Sequence, residues 1–316
     1  MSAGAGGASR LDPAAVRRTL RAAGLRARRG LSQHFLADVE VLEAILDAAA
    51  AVPGRSVLEI GPGLGILTGG LLSAGAAVTA VELDAGLVRH LRAAFGRPLA
   101  RGAGAPPPPV PGPPGSLRLV AGSILDQRLA AIVAEPYDVV ANLPYHVTSP
   151  VLHLLLGGEP RPERAVLMVQ RQVAERVAAA PGAMSYLSVF VQYHAAARIV
   201  RRVPPEAFEP APEVESAVLA LDVRPADAPG RLAPAAEDGF WRLVQAGFRE
   251  RRKMLRNVLA RQLPVPPAAV EAALAAAGID GDRRPQALGV GEWLALAAAL
   301  GPLPPDRRGR KTGAPR

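Results

Sequence analysis

The sequence predicts an α/β chain in which a mainly parallel sheet flanked by helices is followed by a smaller C-terminal helical domain. Three observations predict it. Strand-like and helical runs alternate from Val57 to about Leu221, the pattern of strands joined by helical crossovers. Within that stretch, the apolar run from Val57 to Ile60 enters a glycine-rich turn, Gly61-Pro62-Gly63-Leu64-Gly65. From about Pro225 the pattern becomes helical, with Val244, Phe248, Leu255 and Leu259 at helical spacing.

Taken in order, residues 1–9 are rich in Gly, Ala and Ser and are expected to lack fixed structure. Asp12 and Pro13 read as the N-cap and first residue of a helix reaching about Ala23. Arg17, Arg18, Arg21, Arg26, Arg28 and Arg29 make residues 1–30 a basic arm, suited to phosphate contact or simply to a solvated helix face. Residues 31–224 form the expected sheet domain, interrupted at 97–115 by a Pro/Gly-rich loop carrying Pro106 to Pro109. Residues 225–300 form the expected helical domain, and 301–316 a basic tail. Phe248 to Leu259 read as one helix with Arg249, Arg252 and Arg256 on a shared face and Lys253 beside them, a cluster suited to an RNA backbone. There is no internal repeat.

The glycine turn is followed by a helical run, Ile66 to Leu72, and by a second strand, Ala77 to Val81, that closes on Glu82. Glycines let backbone approach a ligand closely, and an acid at the next strand end can accept hydrogen bonds from both hydroxyls of a ribose. The spacing Gly61-x-Gly63-x-Gly65, with no Lys-Ser/Thr pair after it, suits an adenosine without phosphate better than a pyrophosphate. S-adenosylmethionine is such a ligand.

Farther along, the run from Tyr137 to Ala141 ends in Asn142-Leu143-Pro144-Tyr145. Asn142 supplies an amide oxygen, and Pro144 lacks an amide hydrogen and biases Leu143 toward an extended conformation, so acceptors there can face outward. Tyr145 can stack on a planar base. Alone, the tetrapeptide is equally a strand-ending turn; together with the upstream turn it can hold an exocyclic amine beside the cofactor.

Composition narrows the class. A net charge of +9 and a pI near 10.9 favour a polyanionic partner. The absence of cysteine excludes disulfides and thiolate chemistry and suits the cytoplasm. No stretch spans a bilayer and the N-terminus has no signal-peptide core, so no membrane partner is expected. His146 and His153 have no Cys or carboxylate at ligand spacing, so no metal site is expected, and no Gly-x-Ser-x-Gly elbow suggests a hydrolase.

Five segments together resemble the KsgA/RsmA family of ribosomal RNA adenine dimethyltransferases, relatives of the Erm enzymes, over about Leu11 to Leu300. Leu31-Ser32-Gln33-His34-Phe35-Leu36 resembles the segment covering the methionine end of the cofactor. Glu59 to Thr68 is similar to the cofactor loop and Val81 to Asp84 to the ribose-binding turn. Phe208 to Ala217 resembles Phe-x-Pro-x-Pro-x-Val-x-Ser-Ala, and Phe248 to Leu259 the family's basic helix. The resemblance implies a Rossmann-like S-adenosylmethionine-dependent methyltransferase sheet.

It also implies cofactor contacts at His34, Leu36, Gly61, Glu82, Ser123 and Asn142. Catalysis falls to Asn142, Leu143, Pro144, Tyr145 and Phe208, with Tyr145 and Phe208 holding the faces of a flipped adenine. Ser123 departs from the family, which has Asp there to accept a hydrogen bond from the adenine amine; weaker cofactor binding is expected, with Asp126 a candidate to compensate. Gln172 replaces a frequent Glu, and Met184 to Ser188 replaces Tyr-Gly-x-Leu-Ser. The implied partner is 16S rRNA in the small ribosomal subunit or its precursor, and the implied enzyme is a monomer. An RNA-binding assembly factor with weak or no activity is the alternative; a DNA adenine methyltransferase shares the Asn-x-Pro-Tyr corner but not the Phe208–Ala217 and Arg-rich segments.

Overall fold

A computed structural model describes residues 11–96 and 112–304. The expected unstructured start, the bulk of the 97–115 loop and the basic tail from Arg307 lie outside the described residues. The chain divides into two compact units, Met1–Glu175 with His194–Pro225, and Arg176–Tyr193 with Ala226–Arg316.

In the first unit the strands are β1 (Phe35–Leu36), β2 (Ser56–Ile60), β3 (Ala77–Glu82), β4 (Leu117–Ala121), β5 (Tyr137–Asn142), β6 (Arg164–Gln170), β7 (Ala195–Val203), β8 (Phe208–Glu209) and β9 (Ser216–Val223). Seven of them form one sheet in the order β4-β3-β2-β5-β6-β9-β7. The pairs from β4 through β6 are parallel, and β6–β9 and β9–β7 are antiparallel. This is the expected α/β, Rossmann-like sheet, with an antiparallel edge added. Its central strands bury nearly every residue of β5 and β6, as a sheet covered on both faces requires.

Helix α1 (Pro13–Ala22) precedes the strands, and α2 (Val39–Ala49), α3 (Ile66–Ser73) and α4 (Ala85–Phe95) follow β1, β2 and β3 in turn. Asp12 caps α1 through Ala15 N at 2.6 Å and Asp38 caps α2 through Val41 N at 3.0 Å, each satisfying an orphan amide of the first turn. Val41 and Ile45 of α2 and Leu67 and Leu71 of α3 pack with Val57, Val78, Val140 and Val166 in one apolar cluster. At the far end of the sheet from the glycine turn, Arg55 forks onto Asp138 at 2.5 and 2.7 Å and reaches Glu163 at 2.6 Å, tying β2 to β5 and to the entry of β6.

Strand order reverses between β2 and β5. The chain leaves β2 toward β3 and β4, then returns to β5 on the opposite side, so the loops after β2 and β5 part and leave a crevice at their carboxyl ends. The short pair β1–β8, with Phe35 opposite Glu209 and Leu36 opposite Phe208, draws the segment before α2 toward the Phe208 segment.

Glu59, fully buried in β2, anchors the turn from below. Thr68 Oγ1 of α3 donates to its Oε2 at 2.6 Å, while Oε1 is buried with no partner. Burial pushes its carboxyl up to about 8, against the Thr68 bond.

The second unit is helical: α9 (Pro234–Phe248), α10 (Leu255–Gln262), α11 (Pro267–Ala276) and α12 (Val290–Leu300) follow α5 (Leu129–Ile132), α6 (Thr148–Gly157), α7 (Arg171–Val177) and α8 (Tyr186–His194) in the chain. Met184, Val189 and Tyr193 pack with Phe240, Leu243, Leu255, Leu259 and Trp293. Hence residues 176–193, inside the stretch 31–224 read from sequence as one domain, sit with the second unit.

One expectation is corrected. Phe248 to Leu259 is not a single helix: α9 ends at Phe248, the chain turns through Arg249 to Met254, and α10 begins at Leu255. The turn holds five charged residues and exposed Met254, so a continued helix would bury nothing there. The first amides of α10 are instead taken by loop carbonyls, Leu255 N donating to Arg283 O at 2.8 Å and Arg256 N to Gly281 O at 3.1 Å. Arg249, Arg252 and Arg256 therefore do not share one helix face, and Arg256 pairs with Asp282 at 2.8 Å.

Two predictions follow from this packing. Gly247 lies in α9 against Trp293, and a Cβ there would collide with the fully buried indole. Gly247→Ala should lower stability by about 1–2 kcal/mol in urea unfolding, because overpacking outweighs the helix-propensity gain. For Glu59, the raised folded pKa means stability from this group is fully present below its ordinary value near 4.5 and is lost as pH rises through about 8. Glu59→Gln should remove that decline from a series of unfolding midpoints across neutral pH; an unchanged slope would show that Glu59 is ionised in the folded protein.

Candidate functional site

The crevice between the loops after β2 and β5 is a single cavity. Its lining includes every residue expected to contact the cofactor or to act in catalysis: His34, Leu36, Gly61, Glu82, Ser123, Asn142, Leu143, Pro144, Tyr145 and Phe208. Asp126, offered as a compensating acceptor, is not among the lining residues.

The glycine turn supplies the floor. Gly61, Gly63 and Gly65 have φ of 69°, 59° and 83°, a region that other residues enter only with strain. Gly65 has a second reason to lack a side chain, since a Cβ there would collide with the Phe95 ring. The resulting turn aims Gly63 N at Glu82 Oε2, 3.1 Å away.

Glu82 is held from both sides. Its other oxygen accepts from Asp84 N at 2.7 Å, and it is 5% exposed, so burial raises its pKa against the pull of these amides. Each carboxylate oxygen keeps acceptor capacity for a further donor in the cavity. Asp84 secures the turn in its own right: Oδ1 caps α4 through Gly86 N (2.7 Å) and Leu87 N (3.3 Å), and Oδ2 meets Arg28 Nε at 3.1 Å.

The acceptor corner stands opposite. Pairing of Ile60 with Ala141 in the parallel β2–β5 ladder sets Asn142 beside the start of the glycine turn. Asn142 Nδ2 donates to His34 O at 3.0 Å; because a carbonyl only accepts, the amide orientation is fixed and Oδ1 is the group left for a ligand. Leu143 N donates to Met168 O at 3.1 Å, and Pro144 O accepts from Val147 N at 3.1 Å, which holds the corner as a turn.

Two aromatic residues complete this wall. The Tyr145 ring lies 5.9 Å from the His34 ring at 21°, and its hydroxyl is 2.8 Å from Ser216 Oγ. Burial raises the Tyr145 pKa, with the Ser216 bond opposing, so the phenol stays neutral. His34 Nδ1 is 2.7 Å from Pro210 O and therefore carries the proton on that nitrogen. Phe208 lines the cavity from within the apolar cluster of the sheet and is 2% exposed.

Ser123 is occupied as well as neutral. Its Oγ accepts from Leu125 N at 3.2 Å, capping the short turn Ile124–Asp126, and its carbonyl accepts from Gln127 Nε2 at 3.1 Å. Leu83, inside the Val81–Asp84 turn but not expected as a contact itself, and Leu125, outside every expected motif, also line the cavity, 58% and 41% exposed. Ile124 lines the cavity too, so three apolar side chains there are available to a planar ring. The signal was present: each is an apolar residue one or two positions after a polar strand-end group, where a loop would ordinarily be polar. The Tyr145–Ser216 and His34–Pro210 bonds join distant segments and left no local trace.

Comparison with known proteins accords with this geometry. The model of the family described as "Ribosomal RNA adenine dimethylase" matches residues 24–300. The protein called "Ribosomal RNA small subunit methyltransferase A" from Anaeromyxobacter dehalogenans (strain 2CP-C) is 44% identical over 288 residues, covering 88% of this chain and 94% of the relative. Its namesake from Synechococcus sp. (strain RCC307) is 41% identical, covering 88% of this chain and 98% of the relative. Among solved structures, the 23S rRNA methyltransferase ErmE superposes with a TM-score of 0.66 at 27% identity, over 84% of this chain and 99% of that one. A dimethyladenosine transferase from Plasmodium falciparum shares the fold, with a TM-score of 0.65 at 22% identity over 83% and 96% of the two chains. The chain belongs to the ribosomal RNA adenine dimethylase family.

Proposed function

We propose that the protein transfers methyl groups from S-adenosylmethionine to the exocyclic amines of two adjacent adenosines near the 3′ end of 16S rRNA, during maturation of the small ribosomal subunit. The observation that carries this reading is the Asn142 amide, whose nitrogen is held by His34 O so that Oδ1 is offered to the cavity that also contains Glu82. The residues fit the cofactor. Glu82 has acceptor capacity for ribose hydroxyls, Leu83, Ile124 and Leu125 offer apolar side chains to an adenine ring, and the turn at Gly61 leaves backbone close to the ligand. His34 and Leu36 close the methionine end. When bound, the cofactor supplies an electrophilic methyl group to the waiting nitrogen.

The protein's own part is to prepare that nitrogen. Tyr145, with Phe208, holds the flipped adenine by its faces. Asn142 Oδ1 and a backbone carbonyl of the Leu143–Pro144 corner accept from the amine, drawing it toward tetrahedral geometry and freeing a lone pair otherwise shared with the ring. Positioning and fixed dipoles supply the acceleration, and no strong base is needed.

The partner is 16S rRNA in the small subunit or its precursor, met by a monomer in the cytoplasm. Exposed Arg18 and Arg21 in α1, exposed Arg26 just after it, and exposed Arg251, Arg252 and Lys253 in the second unit are cations suited to releasing counterions from a phosphate backbone. Among the described residues no helix is long and apolar enough to cross a membrane. An assembly factor without catalysis is not favoured, because the acceptor corner and the Glu82 turn are both intact.

Asn142→Ala should lower methyl transfer to immature small subunits at least about 100-fold while RNA affinity stays near that of the parent protein. Retained turnover, or modified bases outside adjacent adenosines, would remove the reading. Ser123→Asp should tighten S-adenosylmethionine binding by roughly tenfold in calorimetry, since a charged acceptor replaces a hydroxyl already engaged by Leu125 N. Unchanged affinity would show that the position does not meet the adenine amine.

A further inference from the structure

Ser216 is the first residue of β9 and is fully buried. It is paired on one side with Gln170 of β6 and on the other with Val203 of β7, so its backbone is fixed by two neighbouring strands. Its hydroxyl lies 2.8 Å from the Tyr145 hydroxyl. Tyr145 itself stands in a single 3-10 turn, Tyr145–Val147, outside any long element. A side chain on so short a turn turns about two torsions unless its far end is held, and here the far end meets the sheet.

We propose that Ser216 is a positioning residue for methyl transfer: its hydroxyl, fixed in the sheet, sets the plane of the Tyr145 ring against which the target adenine rests. The inference rests on the adenine site proposed above. No proton or charge is exchanged between the two hydroxyls; the bond acts through geometry alone. The His34 ring flanks the same phenol at 5.9 Å and 21°, so a displaced Tyr145 would also shift against the side chain whose backbone carbonyl orients Asn142. Small displacements at a reacting centre lower kcat more than they lower binding.

The test is a double-mutant cycle on single-turnover and steady-state methyl transfer to immature small subunits. Ser216→Ala should lower kcat roughly tenfold, the effect of one lost hydrogen bond, with KM for the particle and the S-adenosylmethionine Kd changed less than about twofold. Tyr145→Phe, which keeps the ring and deletes the hydroxyl, should match it. The double variant should be no slower than either single one. A parental kcat in either single variant, or losses that multiply in the double, would overturn the role. Should Ser216→Ala fail to fold, Tyr145→Phe reads the same bond from its other end. Tyr145→Ala separates the two levels: full activity in that variant defeats the adenine site itself, whereas an inactive Tyr145→Ala with a fully active Tyr145→Phe defeats the positioning role alone.

Discussion

Everything in the first unit is arranged by the parallel pairing of β2 with β5, the line along which strand order reverses. Because the strands run side by side in the same direction, their carboxyl ends finish together, and the glycine turn and the Asn142 corner are forced to be neighbours. Because the chain departs from them to opposite sides, the space between their loops cannot be filled by either crossover. The Arg55 fork onto Asp138 and Glu163 ties the other end of the same strands together, far from the cavity.

On that frame, the site residues share one device: each is gripped by one atom and offers another. Asn142 is held through nitrogen and presents oxygen. Glu82 is held by two amides and keeps lone pairs in reserve. Tyr145 is held through its hydroxyl and presents a ring face. Groups fixed in this way need no rearrangement when a substrate arrives, which is the physical content of a preorganised site. Beneath it, burial favours the protonated form of Glu59, which lowers the cost of placing a carboxyl group with an unpartnered oxygen under the turn.

What was legible in the sequence was local. The Gly61–Gly65 turn, Glu82 at the next strand end and the Asn142–Tyr145 corner each announce themselves within a few residues, through glycine spacing, a strand-end acid and a proline. The alternation of strand-like and helical runs from Val57 to about Leu221 likewise carried the signal of the parallel sheet. What escaped depends on contacts between segments far apart in the chain. The pairing of β1 with β8 is two residues long and carries no periodicity, and the Ser216 and Pro210 contacts join positions more than 70 and 170 residues apart. The break at Arg249–Met254 was hidden because Val244, Phe248, Leu255 and Leu259 keep helical spacing across a turn whose amides are satisfied by a remote loop.

The excursion of residues 176–193 has a practical side. Met184 and Tyr193, supplied from the middle of the sequence, complete an apolar core whose other members, among them Phe240 and Trp293, come from beyond residue 225. Neither half of the polypeptide is therefore a separable module: a chain cut at Pro225 would keep a greasy spur without its lid, and the excised remainder would lack part of its own interior. Evolution or engineering can exchange the helical unit cleanly only by grafting two stretches at once.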